Sequence, residues 1–175
     1  MATAANDVET RFAIYRAADA PGLEESAIME MAGVTPTIQA GIEAAQAEGA
    51  AEGDHVKILF SMPGMSLTYA WFKSGYPLPL HSHNADCLYY IIAGSLKLGT
   101  EDLGPGDGFF VGCDVPYAYT PGPNGVEVLE FRTANHFDIR FKGNTKAFWD
   151  KTAEAVKREK VNWAGQKPPS AGFAG

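Results

Sequence analysis

His81 and His83 stand two residues apart, just after Gly75 and a short proline-bearing run. In an extended strand, residues at i and i+2 point to the same face. Two imidazoles held that way can grip one metal ion from a rigid sheet through their neutral ring nitrogens. Without a bulge the same face continues to Tyr89, while Asp86 and Tyr90 point away. A β-bulge near Asp86 would reverse this and bring its carboxylate to the histidines. Glu130 and Arg132 share one face of a later strand with Val126 and Val128. Turned inward, Glu130 would serve as ligand or base and Arg132 as a clamp for a substrate carboxylate. We read the pair instead as a solvated charged face. His136 lies opposite Phe137, Ile139 and Phe141 and is expected in solvent, and His55 opens a strand with no assigned role.

The elements that must position these residues are short and rich in turns. The chain has 19 Gly and 11 Pro among 175 residues, concentrated between Pro63 and Gly125, where apolar runs are brief. Many short strands between such turns point to a sandwich or barrel. Strands are expected at Val56–Met62, Ser66–Lys73, Leu88–Leu98, Gly108–Val111, Tyr117–Thr120, Val126–Arg132 and Phe137–Phe141, with a hairpin-type loop at Pro121–Gly125. The segment Arg11–Tyr15 reads as a short strand or a helix start, and Leu23–Ala32 as a helix. Thr35 before Pro36 reads as the cap of a helix running to Ala47. Asn144 is the expected cap of a C-terminal helix to about Glu159, packing Phe148 and Val156 on the sheet. Gln166–Gly175, rich in Pro, Gly, Ser and Ala, is expected to be loose.

With those elements drawn, the chain resembles the cupin superfamily over residues 56 to 133. The first cupin motif is a glycine, five residues, His-x-His, three or four residues, a glutamate, six residues and a glycine. Here it reads Gly75, His81, His83, Cys87 in the glutamate position and Gly94. The second motif survives in the turn Leu103–Asp107 and in its spacing, with Gly112, Cys113 and Asp114 in the Pro-x-Gly place, Tyr117 in the histidine place and Pro121 in the asparagine place. The resemblance implies an all-β, cupin-type antiparallel β-barrel (jelly roll) over 55–142. An N-terminal, partly helical extension over 1–54 and a C-terminal helix with its tail over 143–175 flank it. It also implies one divalent transition metal (Fe, Zn, Ni or Mn) on His81 and His83, with Cys87 and Tyr117 as the altered further ligands. Asp86 is the alternative third ligand. A thiolate ligand favours zinc or a softer metal, and a phenol serves as ligand or as acid or base. Tyr117 and Tyr89 are the expected catalytic side chains.

The implied function is a metal-dependent enzyme of dioxygenase, lyase or isomerase type, acting on a small organic substrate. The alternative is a non-catalytic module that binds a small molecule or a metal. A homodimer is the family-based expectation. Composition narrows the partners. The 21 acidic residues outnumber 14 basic ones for a formal charge of −7, which disfavours nucleic acid, since phosphate binding needs a basic face. No apolar run is long enough to span a membrane. Met1–Phe12 has no apolar leader core, so a cytoplasmic protein is expected, with Cys87 and Cys113 as free thiols.

Overall fold

The computed structural model describes residues 12–171. The reading of Arg11–Tyr15 begins outside these residues, and the segment from 12 to 16 forms neither helix nor strand. The leader assessment at the N-terminus falls almost wholly outside them, as do the last residues of the tail.

The strands are β1 (Met29–Met31), β2 (Asp54–Met62), β3 (Met65–Phe72), β4 (His81–Ser82), β5 (Cys87–Leu98), β6 (Glu101–Leu103), β7 (Gly108–Val111), β8 (Thr120–Arg132) and β9 (Phe137–Phe141). The helices are α1 (Leu23–Ser26), α2 (Pro36–Ala47) and α3 (Lys146–Glu159). The larger sheet runs β2–β3–β8–β5–β6, with β7 also paired to β5. Its pairings are all antiparallel. The smaller sheet runs β1–β9–β4, with β1 parallel to β9.

The expected closed barrel is not formed; both sheets are open. The larger faces the smaller across an aromatic and polar interior, where Arg132 of β8 lies over the Phe137 ring of β9 at 4.3 Å. Closure fails next to β4. Pro77 and Pro79 precede it and supply no backbone N–H, so β4 has two residues, joined to the far side only by the isolated bridge His81–Tyr117.

Inward residues of the larger sheet form cross-strand rows. Ser66, Arg132, Cys87 and Val111 make one row, and Thr68, Glu130, Tyr89 and Phe109 the next. Below them Ala70, Val128 and Ile91 begin the apolar core, completed by Phe72, Leu96, Tyr119 and Val126. The polar end of the interior therefore lies where β4 and β9 cover it.

Several local expectations are corrected. Leu23–Ala32 is not one helix. It breaks at Ala27, whose φ is 51°, and Met29–Met31 pairs with β9, because Ile28 must enter a cluster with Ile58, Ala85 and Phe137. Tertiary burial overrides helix propensity there. Pro121–Gly125 is no loop but the start of β8, with Pro121 paired to Leu96. The strand survives because β5 shifts register at Ile91/Ala93 and Gly94/Leu96. Gly94 and Gly125, with φ of 75° and 77°, absorb the irregularity. A Cβ on Gly94 would sit inside contact distance of the Gly125 carbonyl oxygen.

The cap of α3 is Thr145 rather than Asn144, its Oγ1 accepting from Phe148 N at 3.2 Å. That helix buries Trp149 and Val156, and Trp149 packs over Gly41 of α2 as well as on Phe141 of β9. The tail is fastened as far as it is described. Gln166 Oε1 accepts from Ser74 N at 3.1 Å. Ser170 donates from N at 2.5 Å and from Oγ at 2.8 Å to the buried Glu127 carboxylate.

Candidate functional site

His81 and His83 are 3% and 6% exposed, with ring centroids 5.0 Å apart. His81 Nδ1 lies 2.7 Å from Pro79 O, and His83 Nδ1 2.5 Å from Asp138 O. A carbonyl only accepts, so each Nδ1 carries the proton and each Nε2 keeps its lone pair. Burial holds both rings neutral. It pulls His81 down to about 4, against the carbonyl bond that favours the cation and with the charge of Arg132 adding to the depression. His83 is pulled down to about 3 by burial, Arg132 and His81. Asp138, which alternates with Phe137 and Ile139 along β9, is nevertheless 2% exposed. Its carboxylate accepts from Asn84 N and from Arg140 Nε, and this fixes the β9 carbonyl that holds His83.

Tyr117 and Tyr89 meet this pair. The Tyr117 ring is 4.4 Å from His81 and 6.2 Å from His83, and its hydroxyl is hydrogen-bonded to the Tyr89 hydroxyl. Tyr89 stacks on Phe109 at 4.4 Å. Burial raises both phenols above their ordinary range, so both hydroxyls stay protonated at neutral pH.

Glu130 and Arg132 also belong to this cluster. The reading of them as a solvated face is overturned, because β8 directs them into the interior at 8% and 5% exposure. Arg132 Nη1 donates to Glu130 Oε2 at 2.5 Å and Nη2 to the Tyr89 hydroxyl at 3.3 Å, while Nε has no acceptor among the described residues. Burial works against the Arg132 charge, and Glu130 together with Tyr89, Cys87 and Tyr117 more than restores it. One sequence signal pointed to this arrangement: the two charges share strand parity with Val126 and Val128, both of which are wholly buried.

A cupin-type metal centre asks for more donors than this cluster offers. Cys87, in the glutamate position, is 2% exposed. Burial pushes its thiol up to about 12, so without a cation beside it the thiol stays protonated at neutral pH. Asp86 turns outward to accept from Cys113 N at 2.7 Å, since no bulge occurs there. Glu130 is committed to Arg132. Among the described residues no three His, Cys, Asp or Glu side chains come together to hold a metal ion. The guanidinium beside the imidazoles adds positive charge where a cation would sit. Two oriented histidines remain, and the set around them does not fit a complete metal site.

A cavity of about 440 Å³ is bordered by Leu78, Pro79, Tyr119 and the α3 residues Phe148 and Thr152, none of them a member of the cluster. Tyr119 separates that cavity from Tyr89 and Phe109, with ring centroids at 6.5 and 5.8 Å. Among the described residues no helix is long and apolar enough to cross a membrane.

No protein-family model matches the chain, and no curated protein does. Solved structures do resemble it. The polyketide cyclase RemF from Streptomyces resistomycificus superposes with a TM-score of 0.50 over 61% of this chain and 82% of its own, at 18% identity. KdgF from Halomonas sp. gives 0.43 over 47% and 79%, at 22% identity. An RmlC-like cupin from Shewanella frigidimarina gives 0.43 over 47% and 78%, at 21% identity. The chain has the cupin fold. Proteins of that fold include enzymes such as RemF, and also a cupin-like protein from Ralstonia eutropha of unknown function.

Proposed function

We propose that the chain is a small-molecule enzyme of lyase or isomerase type, moving protons on a carbonyl-bearing substrate in the interior cluster. The observation that carries this is Arg132. It is buried, it is neutralised by Glu130, and its Nε–H has no acceptor among the described residues. A buried donor without a partner costs about 1–3 kcal/mol, and a substrate oxygen relieves that cost. Because Glu130 already balances the charge, a carboxylate would leave one negative charge in excess in a dry interior. An uncharged carbonyl fits better. As its α-proton leaves, negative charge grows on the oxygen, where the guanidinium and the Tyr117 hydroxyl strengthen their hold. The free Nε2 lone pair of His81 or His83 takes the proton. Tyr119 is the side chain a substrate passes on its way in from the neighbouring cavity.

The metal-dependent enzyme is the second reading, favoured by the two Nε2 lone pairs that carbonyl bonds have oriented. One experiment separates the two. A panel of small ketones, aldehydes and enones is incubated with the protein in deuterated buffer, and loss of α-protons is followed by proton NMR, with and without EDTA. Exchange that persists in EDTA and falls at least tenfold in Tyr117→Phe supports the proposal. Exchange abolished by EDTA and restored by a divalent ion transfers the activity to a metal, and no exchange anywhere in the panel sinks the proton-transfer reading.

A further inference from the structure

Among the described residues, the buried side-chain polar atoms without a hydrogen-bond partner are Thr68 Oγ1, Trp71 Nε1, Ser82 Oγ and Arg132 Nε. Strand parity separates them. Trp71 is paired with Glu127 on the outer face of the larger sheet, and Ser82 alternates with His81 and His83 and so points away from them. Thr68 and Arg132 are the two that turn into the interior cluster. Thr68 faces Glu130 across the strand pair, in the row that continues to Tyr89 and Phe109. It is 1% exposed. The other inward hydroxyl of β3, that of Ser66, donates to Ala134 O at 2.7 Å. Thr68 finds no such acceptor among the described residues. Glu130 retains 10% of its side-chain surface, so the row is not packed shut beside Thr68.

We propose that Thr68 is a second substrate-binding residue of this interior, and that the substrate is an uncharged hydroxycarbonyl compound. This rests on the reading of Arg132 as the carbonyl anchor. Thr68 lies diagonally across from Arg132, a cross-strand spacing of about 7–8 Å between backbones that a molecule of a few carbons bridges. A threonine hydroxyl both donates and accepts, whereas the Glu130 carboxylate beside it only accepts. A second carbonyl at that place would accept from Thr68 but turn its oxygen toward the carboxylate. An ammonium would satisfy Glu130 but lie beside the Arg132 charge, in an interior where added charge is costly. A hydroxyl accepts from Thr68 and donates to Glu130, so it meets both groups without adding charge. Valine would fill nearly the same volume and leave nothing unmet. Threonine instead lowers the stability of the free protein and gives the site a means to select a hydroxylated substrate.

Proton NMR titrations test this with hydroxyacetone and its next higher β-hydroxy homologue, each against the ketone carrying methyl in place of the hydroxyl. The wild type is expected to bind at least one hydroxyketone more tightly than its methyl counterpart, by roughly tenfold or more. The preference is expected to vanish in Thr68→Val and to persist in Thr68→Ser. Thr68→Val is also expected to melt about 2–4 °C above the wild type, because no hydroxyl is left unmet. Binding is read apart from deuterium exchange. Exchange without a hydroxyl preference, or a preference that survives in Thr68→Val, overturns the role of Thr68 and leaves the proton-transfer reading standing. The expected preference without exchange keeps Thr68 as a binding residue and sinks that reading alone. No binding of any of these ketones, or a Thr68→Val protein that melts below the wild type, overturns the proposal.

Discussion

Lowering the pH from about 7.5 to about 5 is expected to remove on the order of 4 kcal/mol of folding stability through His81 and His83. Both rings are neutral in the folded protein because burial depresses them to about 4 and about 3. In the unfolded chain they titrate near ~6.5. Between those values the unfolded state binds protons that the folded state refuses. Stability is therefore full above the unfolded pKa and is lost as pH falls through and below it. Each histidine contributes about 2 kcal/mol over the stated interval at ~1.36 kcal/mol per pKa unit. Asp54 works in the opposite direction. Burial raises its carboxyl to about 6, against the bond from Tyr76 that lowers it, so acidification stabilises the fold at that residue. The quantity to measure is thus a difference: urea unfolding at both pH values in EDTA, for the wild type and for a His81→Gln, His83→Gln double variant. The wild type should lose about 4 kcal/mol more than the variant. Equal losses within about 1 kcal/mol would show that the imidazoles are not held neutral by burial.

Thiol reactivity should separate the two cysteines. At mildly alkaline pH the folded protein should show one thiol reacting promptly with Ellman's reagent, exposed Cys113, and a second, buried Cys87, only after denaturation. Two prompt thiols would mean that the interior opens readily. Gly94→Val should destabilise the fold by about 3 kcal/mol or more, measured by urea unfolding. The cause is a positive φ together with a Cβ driven against the Gly125 carbonyl; a change below about 1 kcal/mol would place the register shift of β5 elsewhere.

Strand parity made part of the cluster readable in advance. His81 and His83 come together because β4 is extended, and Tyr89 turns inward because no bulge intervenes between Cys87 and Ile91. Tyr117 lies against His81 through a single isolated bridge, a placement suggested by motif spacing and not by local pattern. Arg132 and Glu130 were harder to place. Two charges on a strand ordinarily face water, and only their mutual pairing and the Tyr89 hydroxyl make burial tolerable. Asp138 is buried on the same terms, since its partners Asn84 and Arg140 compensate its carboxylate. The break after α1 and the fastening of the tail depend on distant contacts. Ile28 meets Phe137, and Trp163 Nε1 donates to Ser74 O at 2.8 Å. Neither contact leaves a trace in a window of neighbouring residues.

The stapled C-terminal stretch bears on the order in which the protein can mature during synthesis. Glu127 is wholly buried, and its carboxylate accepts from Tyr69, earlier in the chain, and from Ser170, later in it. Until Ser170 has been made, that carboxylate stands in water on an unfinished face. Trp163, which closes the cluster of Ala45, Ala50 and Val156, likewise arrives 89 residues after the Ser74 carbonyl it binds. A nascent chain can thus assemble the strands while both seams stay wet. Trp163 and Ser170 close those seams through contacts of high sequence separation. A chain lacking that stretch would leave the Glu127 carboxylate without Ser170 and the seam of Ala45, Ala50 and Val156 without Trp163.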